Sequence, residues 1–87
     1  MNKNIYNDDR FSINDKLPGE TVLHDKLKDK THFLNKTAFE ILTLAYKGLN
    51  AEKIEEIIRS RFIVDGENGI SKEIEETIAV FRKNELI

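Results

Sequence analysis

Cysteine is absent from this 87-residue sequence, and long apolar runs are absent as well. Without cysteine the chain can form no disulfide and no thiolate metal site, and it has no cysteine nucleophile. The longest apolar runs span only three or four residues, and the polar N-terminus lacks the apolar centre of a signal peptide. We therefore expect neither membrane insertion nor export, and we predict a cytoplasmic protein.

Residue patterns that support catalysis or cofactor binding are also scarce. The four glycines fit neither the phosphate-binding loop of nucleotide-binding enzymes nor the dinucleotide fingerprint. His24 and His32 fall on neighbouring predicted strands, and a zinc site would need at least one further ligand. Asp25 and Asp29 are candidates, but the spacing matches no known zinc pattern. We predict no catalytic residue, no metal and no cofactor, and hence no enzyme.

The composition fits a single folded domain. Hydrophobic residues make up 39% of the chain and charged residues 34%, which is typical of a globular protein and not of a disordered one. A chain of this length buries only about 60 to 65% of its unfolded surface, so the core is small and a deep cofactor cavity is not expected. We predict a flexible N-terminus over residues 1–8 and one domain over residues 9–87.

Three short strands are predicted in the first part of the chain. Phe11 and Ile13 alternate with polar residues in DRFSIN, and the only proline and a glycine follow as turn residues. The second candidate strand is ETVLHDKL, with Leu27 as its last apolar member, and KDK at 28–30 is typical of a charged turn. THFL at residues 31–34 combines threonine and aromatic types that suit a pleated surface, which predicts a third strand.

From Asn35 onward the apolar residues recur at helical spacing. The predicted helices are TAFEILTLAYK from residue 37, AEKIEEIIRSRF from residue 51 and KEIEETIAVFRKN from residue 72. The candidate N-caps are Asn35 or Thr37 for the first helix, Asn50 for the second and Ser71 for the third. A glycine-punctuated loop at 64–69 precedes the third helix. The order predicts an α+β domain that is winged helix-turn-helix-like, with a three-stranded antiparallel sheet followed by three helices.

A helix-turn-helix makes DNA binding, by a winged-helix transcriptional regulator, the alternative function. The third helix would enter the major groove, where it would present Glu73, Glu75 and Glu76 to the phosphates. Residues 37–87 carry ten acidic residues against seven Lys or Arg, so the helical half is the acidic one. The glutamates are more typical of a solvated helix face than of a general-base site. Charge therefore argues against nucleic acid as the partner.

Taken together, the segments from Gly19 to Ile87 resemble the PqqD-like family, also called RiPP recognition elements. The features that carry the resemblance are GETVLHDKLKDKTHFLN, a strand pair that ends in Leu-Asn; KTAFEILTLAYKG, a first helix that ends in glycine; LNAEKIEEIIRSRF, the second helix; and ISKEIEETIAVFRKNELI, a third helix that ends in an apolar pair. They cover about four fifths of the chain. Glu85 is a departure, since the family usually has glycine before the terminal apolar pair, which leaves the geometry of the C-terminal cap open.

The resemblance implies a function. Proteins of this family bind the leader region of ribosomally made precursor peptides, which adds as an antiparallel strand to the third strand and lies in a groove beside the third helix. Physically this is β-augmentation. The resemblance implies that a separate maturation enzyme receives the leader, such as the leader peptidase of a lasso-peptide system or a radical-SAM enzyme like that of the pyrroloquinoline quinone pathway. Because the chain ends directly after the third helix, we expect that enzyme to be another polypeptide, unless these residues are a domain of a longer protein. We expect no membrane partner.

The same resemblance assigns candidate peptide-binding residues. On the third strand they are Thr31, His32, Phe33 and Leu34, which would contribute mainly backbone N–H and C=O groups, with Leu34 facing the core. On the third helix they are Glu73, Thr77, Val80 and Asn84, which helical geometry places along one flank of the core stripe of Ile74, Ile78 and Phe81. Val80 extends this stripe sideways, where a groove needs an apolar floor. The opposite flank, with Glu75, Ala79 and Arg82, is the alternative lining.

Overall fold

The computed structural model describes residues 3–61 and 70–87 of the chain. Its elements are a short 3₁₀ helix (Ile5–Asn7), the strands β1 (Phe11–Asn14), β2 (Glu20–Asp25) and β3 (Lys30–Asn35), and the helices α1 (Lys36–Tyr46), α2 (Ala51–Arg61) and α3 (Ile70–Lys83). Three antiparallel strands followed by three helices confirm the predicted α+β class. Over the described residues, no helix is both long enough and apolar enough to cross a bilayer.

The three strands form one sheet in the order β1-β2-β3, so β1 and β3 are its two edges. Alternate residues of β2 are buried, which directs Leu23 toward the helices and Val22 away from them. Leu23 lies opposite His32 of β3, and Val22 lies opposite Phe33. The sheet therefore has an inner face that packs on the helices and an outer face that is turned away from them.

The turn between β2 and β3 begins earlier than the sequence predicts. The Asp25 carboxylate accepts hydrogen bonds from the backbone N–H groups of Leu27, at 3.1 Å, and Lys28, at 3.4 Å. These bonds bend the chain directly after β2. Leu27 consequently stands in the turn with 74% of its surface exposed, and the prediction that places it in the strand is wrong.

The N-terminal segment packs beside β1. Ile5 is fully buried in the core, at the start of the 3₁₀ helix. The Tyr6 hydroxyl donates to the Asp15 carboxylate at 2.6 Å, and the Tyr6 ring meets Phe39 edge-on at 5.9 Å between centroids. The terminus that we predict to be flexible, residues 1–8, thus contains a segment that contributes to the core, because its two apolar side chains both find partners.

Asparagine side chains cap the first two helices. The Oδ1 atoms of Asn35 and Asn50 each accept a hydrogen bond from the backbone N–H three residues on, at 2.7 and 2.9 Å. Asn35, and not Thr37, is therefore the cap of α1. Helix α3 begins at Ile70, so Ser71 lies inside its first turn and not ahead of it as predicted.

Helix α1 occupies the centre of the fold. It packs against β2 and β3 on one side and against α2 and α3 on the other. The core stripe predicted for α3 is confirmed, since Ile74, Ile78 and Phe81 are all buried. The predicted loop at 64–69 and the predicted core residue Phe62 lie outside the described residues.

Candidate functional site

The direction of the backbone polar groups in the sheet follows from one hydrogen bond. The N–H of Lys26 donates to the C=O of Arg10 at 2.8 Å, just beyond the paired residues of β1 and β2. Along an antiparallel strand these groups point alternately to one neighbour and to the other. Counting back from Lys26, His24 directs its N–H and C=O to β1, whereas Leu23 directs its own to β3.

The polar groups of β3 divide in the same way. His32 lies opposite Leu23 and turns its N–H and C=O to β2, as does Leu34. Thr31 and Phe33 turn theirs to the other side, where no strand from residues 3–61 or 70–87 pairs with β3. Two of the four predicted strand residues therefore offer their backbone to an incoming strand, and the other two do not.

The side chains of β3 alternate between the two faces of the sheet. His32 and Leu34 are half-buried on the inner face, and Leu34 packs against the core as predicted. Thr31 and Phe33 lie on the outer face, where 71% of the Phe33 surface is exposed. The sequence prediction assigns Phe33 mainly a backbone role. Phe33 is adjacent to Leu34 in the strand, so strand alternation directs its side chain to the face opposite the core.

The groove that the resemblance implies would lie between β3 and helix α3. Both elements pack on α1, which places α1 behind the groove. The predicted flank of α3 contains Thr77 and Asn84, which are half-buried, and Glu73 and Val80, which are exposed. The C=O of Asn84 accepts a hydrogen bond from Lys28 Nζ at 3.4 Å, so the end of this flank lies beside the β2–β3 turn. Val80, in the middle of this flank, is 53% exposed.

The opposite flank of α3 faces a different part of the molecule. Glu75, Ala79 and Arg82 line a cavity of about 390 Å³ together with residues 48–50, which connect α1 to α2. The core residue Ile78 forms part of the same lining. The flank that the sequence leaves as the alternative therefore borders the α1–α2 connection.

A contact that the sequence does not indicate joins the β2–β3 turn to the end of α3. Lys28 Nζ donates to Glu85 Oε1 at 2.7 Å, which holds the pKa of Glu85 below its ordinary value. Glu85 adopts φ 58°, a left-handed conformation that favours glycine. The N–H of Leu86 still donates to the C=O of Phe81 at 2.9 Å, as in a helix that ends in glycine. Glu85 therefore forms the helix cap that a glycine would form at this position, although the PqqD-like pattern has glycine there.

A buried ion pair fixes the start of the β2–β3 turn. Arg10 donates to the two oxygens of Asp25, from Nε at 2.8 Å and from Nη2 at 2.7 Å, and Asp25 is fully buried. These hydrogen bonds lower the pKa of Asp25 to about 2, although burial acts in the opposite direction. Asp25 therefore stays ionised, and the pair joins the chain before β1 to the turn that leads into β3.

The two histidines do not converge on a common site. His24 lies on the outer face, with Nδ1 2.9 Å from the Thr31 hydroxyl and Nε2 3.4 Å from Asp29, whereas His32 lies on the inner face. Within the described ranges, no three His, Asp or Glu side chains could hold a metal ion together. What the site offers is a row of backbone polar groups beside a partly apolar groove, and this arrangement suits an extended peptide.

No protein-family model and no curated protein matches this sequence. Among solved structures, the chain is similar to "TbiB1 in Complex with the TbiA(beta) Leader Peptide", with a TM-score of 0.67 and 19% sequence identity. The match covers 91% of this chain and 90% of the matched chain. At this identity the likeness establishes the fold, and it agrees with the α+β architecture described above.

Proposed function

We propose that this chain is a leader-recognition protein of the PqqD-like kind. It binds the leader region of a ribosomally synthesised precursor peptide by strand addition to β3 and presents it to a separate maturation enzyme. The observation that carries the proposal is the open edge of β3 beside α3, in a fold shared with a chain that was solved with a leader peptide bound.

The open edge supplies affinity that depends little on sequence. Thr31 and Phe33 each direct an N–H and a C=O to this edge, and an antiparallel strand would accept and donate at both residues. Main-chain bonds of this kind are available to almost any extended segment. An unpaired edge otherwise favours aggregation, so we interpret this one as reserved for a partner.

The groove supplies selectivity. Residues directly opposite each other across an antiparallel pair share a face, so a leader residue opposite His32 would direct its side chain inward, toward α3. There an apolar side chain would cover Val80, which otherwise stays half-exposed to water. Thr77 and Asn84 flank Val80. Thr77 offers a hydroxyl to polar leader groups, and Asn84, whose Nδ2 donates to the C=O of Val80 at 3.0 Å, offers its Oδ1.

Binding, and not catalysis, is the role we propose for the groove. Apart from Glu73, its predicted residues contribute backbone groups and uncharged or histidine side chains, and chemical modification of the precursor would fall to the partner enzyme. A leader peptidase and a radical-SAM enzyme are both compatible with this role. Because ribosomal precursors are made in the cytoplasm, we propose that the protein acts there.

The proposal is tested by titrating the leader region of a candidate precursor peptide into the isotope-labelled protein. We expect amide shifts at residues 30–35 and along α3. We also expect an affinity that changes little with salt, whereas a DNA-binding protein loses about 10³-fold or more between about 50 and 200 mM. Shifts that avoid β3 and α3 would show that the proposal is wrong.

Two proline substitutions separate strand addition from other binding modes. Thr31→Pro removes an N–H that points to the open edge, whereas His32→Pro removes one that bonds to β2. We expect Thr31→Pro to keep the fold and to lose most leader binding, and His32→Pro to lower the stability of the sheet. Wild-type affinity in a folded Thr31→Pro variant would exclude strand addition at this edge.

A further inference from the structure

The side chain of Phe33 lies on the open edge but outside the groove. It is 71% exposed on the outer face of the sheet, next to Val22, which in turn lies opposite Asn14 of β1. These three residues form a row that crosses the sheet from β1 to β3. Phe33 ends the row, and one side of its ring has no neighbouring strand among the described residues.

An added strand would continue this row. Because Phe33 directs its N–H and C=O outward, it would form a hydrogen-bonded pair with one residue of the incoming peptide. The side chain of that residue would lie on the outer face, with its Cβ about 5 Å from that of Phe33. Its position would therefore be fixed by the backbone bonds that the proposed function already requires.

We infer that Phe33 selects an aromatic or β-branched residue at this one position of the bound peptide, on the face opposite the groove. The inference rests on the proposed function and adds a second determinant of specificity to it. Aromatic and β-branched residues pair favourably with an aromatic neighbour across two strands, whereas the negative face of the ring would repel an acidic residue.

The next outward position of the peptide is not selected in the same way. It lies opposite Thr31, two residues toward the C-terminus of an antiparallel peptide. The Thr31 hydroxyl already bonds to His24 Nδ1 at 2.9 Å, and this outer-face pair presents polar groups. The expected peptide pattern is thus an apolar residue opposite Phe33, an inward residue that faces α3, and a polar-tolerant residue opposite Thr31.

The test uses a short linear peptide selected from a random-sequence display library on the full chain. Peptides that also bind Thr31→Pro are discarded, so that the remaining ones depend on the open edge. Nuclear Overhauser contacts identify the peptide residue opposite Phe33, and this residue is then changed to alanine. We expect the change to lower the affinity for the wild-type protein about two- to fivefold and to lower the affinity for Phe33→Thr by a smaller factor.

Leu27→Thr is the matched control, because Leu27 is equally exposed but stands in the turn and away from the row. It should respond to the peptide change as the wild type does. If Phe33→Thr does not fold, Phe33→Val keeps strand propensity and should weaken the preference for aromatic residues. Equal affinity of both peptides for the wild type would overturn the inference and leave the proposed function standing, whereas failure to recover any edge-dependent peptide would count against both.

Discussion

The two edge strands of the sheet differ in how far the described residues cover them. The four residues of β1 pack against the N-terminal 3₁₀ helix, and the N–H of Phe11 donates to the C=O of Asp8 at 3.1 Å within a turn of its own chain. The six residues of β3 leave the polar groups of Thr31 and Phe33 open, with a large apolar side chain exposed beside them.

Under the proposed function, this difference corresponds to stability at one edge and peptide binding at the other. On the β1 side, Asp8 also accepts a hydrogen bond from the Tyr46 hydroxyl at 2.5 Å, which ties the N-terminal segment to α1. An edge that only needed protection from aggregation would be packed in the same manner. The exposure of β3 in the same small sheet therefore indicates a use, and four variants or conditions test the assignment.

Ile5→Ala should have the largest effect, and only on stability. Ile5 is fully buried against β1, and truncation of a buried isoleucine costs about 2 to 5 kcal/mol in the free energy of unfolding. Denaturant unfolding measures the loss, with Leu27→Ala, an exposed position, expected to change stability by about 0.5 kcal/mol or less. Peptide affinity of the folded fraction should be unchanged. A loss of affinity would mean that the two edges are coupled.

Acid should weaken the anchored edge through Asp25. Its pKa is lowered to about 2 by the Arg10 hydrogen bonds, so the stabilisation is present above the ordinary aspartate value and is lost as the pH falls. We expect the free energy of unfolding to decrease by about 2 kcal/mol between about pH 4 and pH 2 through this group. In Arg10→Met the carboxyl loses these hydrogen bonds, the pKa of Asp25 in the folded protein rises toward its ordinary value, and the acid-induced decrease through this group should be smaller. Identical pH profiles of the two proteins would contradict this role of the ion pair.

Val80→Asp should affect binding and spare stability. Val80 is 53% exposed on the predicted flank of α3, so the folded state loses little, about 0.5 kcal/mol, when it is replaced. In the complex the new carboxylate would be covered by the peptide, and we expect about a tenfold loss of affinity or more. Calorimetric titration measures it. Ala79→Asp adds the same charge on the other flank of α3 and should bind as the wild type does. If Ala79→Asp lost affinity and Val80→Asp did not, the groove would lie along the other flank of α3.

The element order and two helix caps could be predicted from the sequence, because strand alternation, helical spacing and N-capping depend on residues close together in the chain. Leu34 was expected to face the core for the same reason, and it does. Helical spacing also defines the two flanks of α3 once the core stripe is known, but it does not choose between them.

The contacts that set up the site join residues far apart in the sequence. The pairs of Arg10 with Asp25 and of Lys28 with Glu85 depend on how the sheet and α3 pack, and no local pattern indicates either of them. The register of β3 depends on the turn that Asp25 starts, and this register decides which backbone groups reach the open edge. Sequence spacing alone therefore could not show which pair, Thr31 and Phe33 or His32 and Leu34, directs its backbone groups to the open edge.

The smallest effect is expected at Glu85, which contacts Lys28 of the β2–β3 turn. Its left-handed backbone costs a non-glycine residue about 1 to 2 kcal/mol, and the contact with Lys28 is the compensating interaction. Glu85→Ala keeps the strained backbone and loses the contact, whereas Glu85→Gly loses the contact and relieves the strain. We expect the free energy of unfolding of the glycine variant to be about 1 kcal/mol higher than that of the alanine variant. We expect both variants to bind peptide with lower affinity, because one of the two Lys28 bonds that join the turn to the end of α3 is lost. A lower affinity shared by the two variants would assign Lys28 and Glu85 to the groove, whereas unchanged affinity would limit them to the cap.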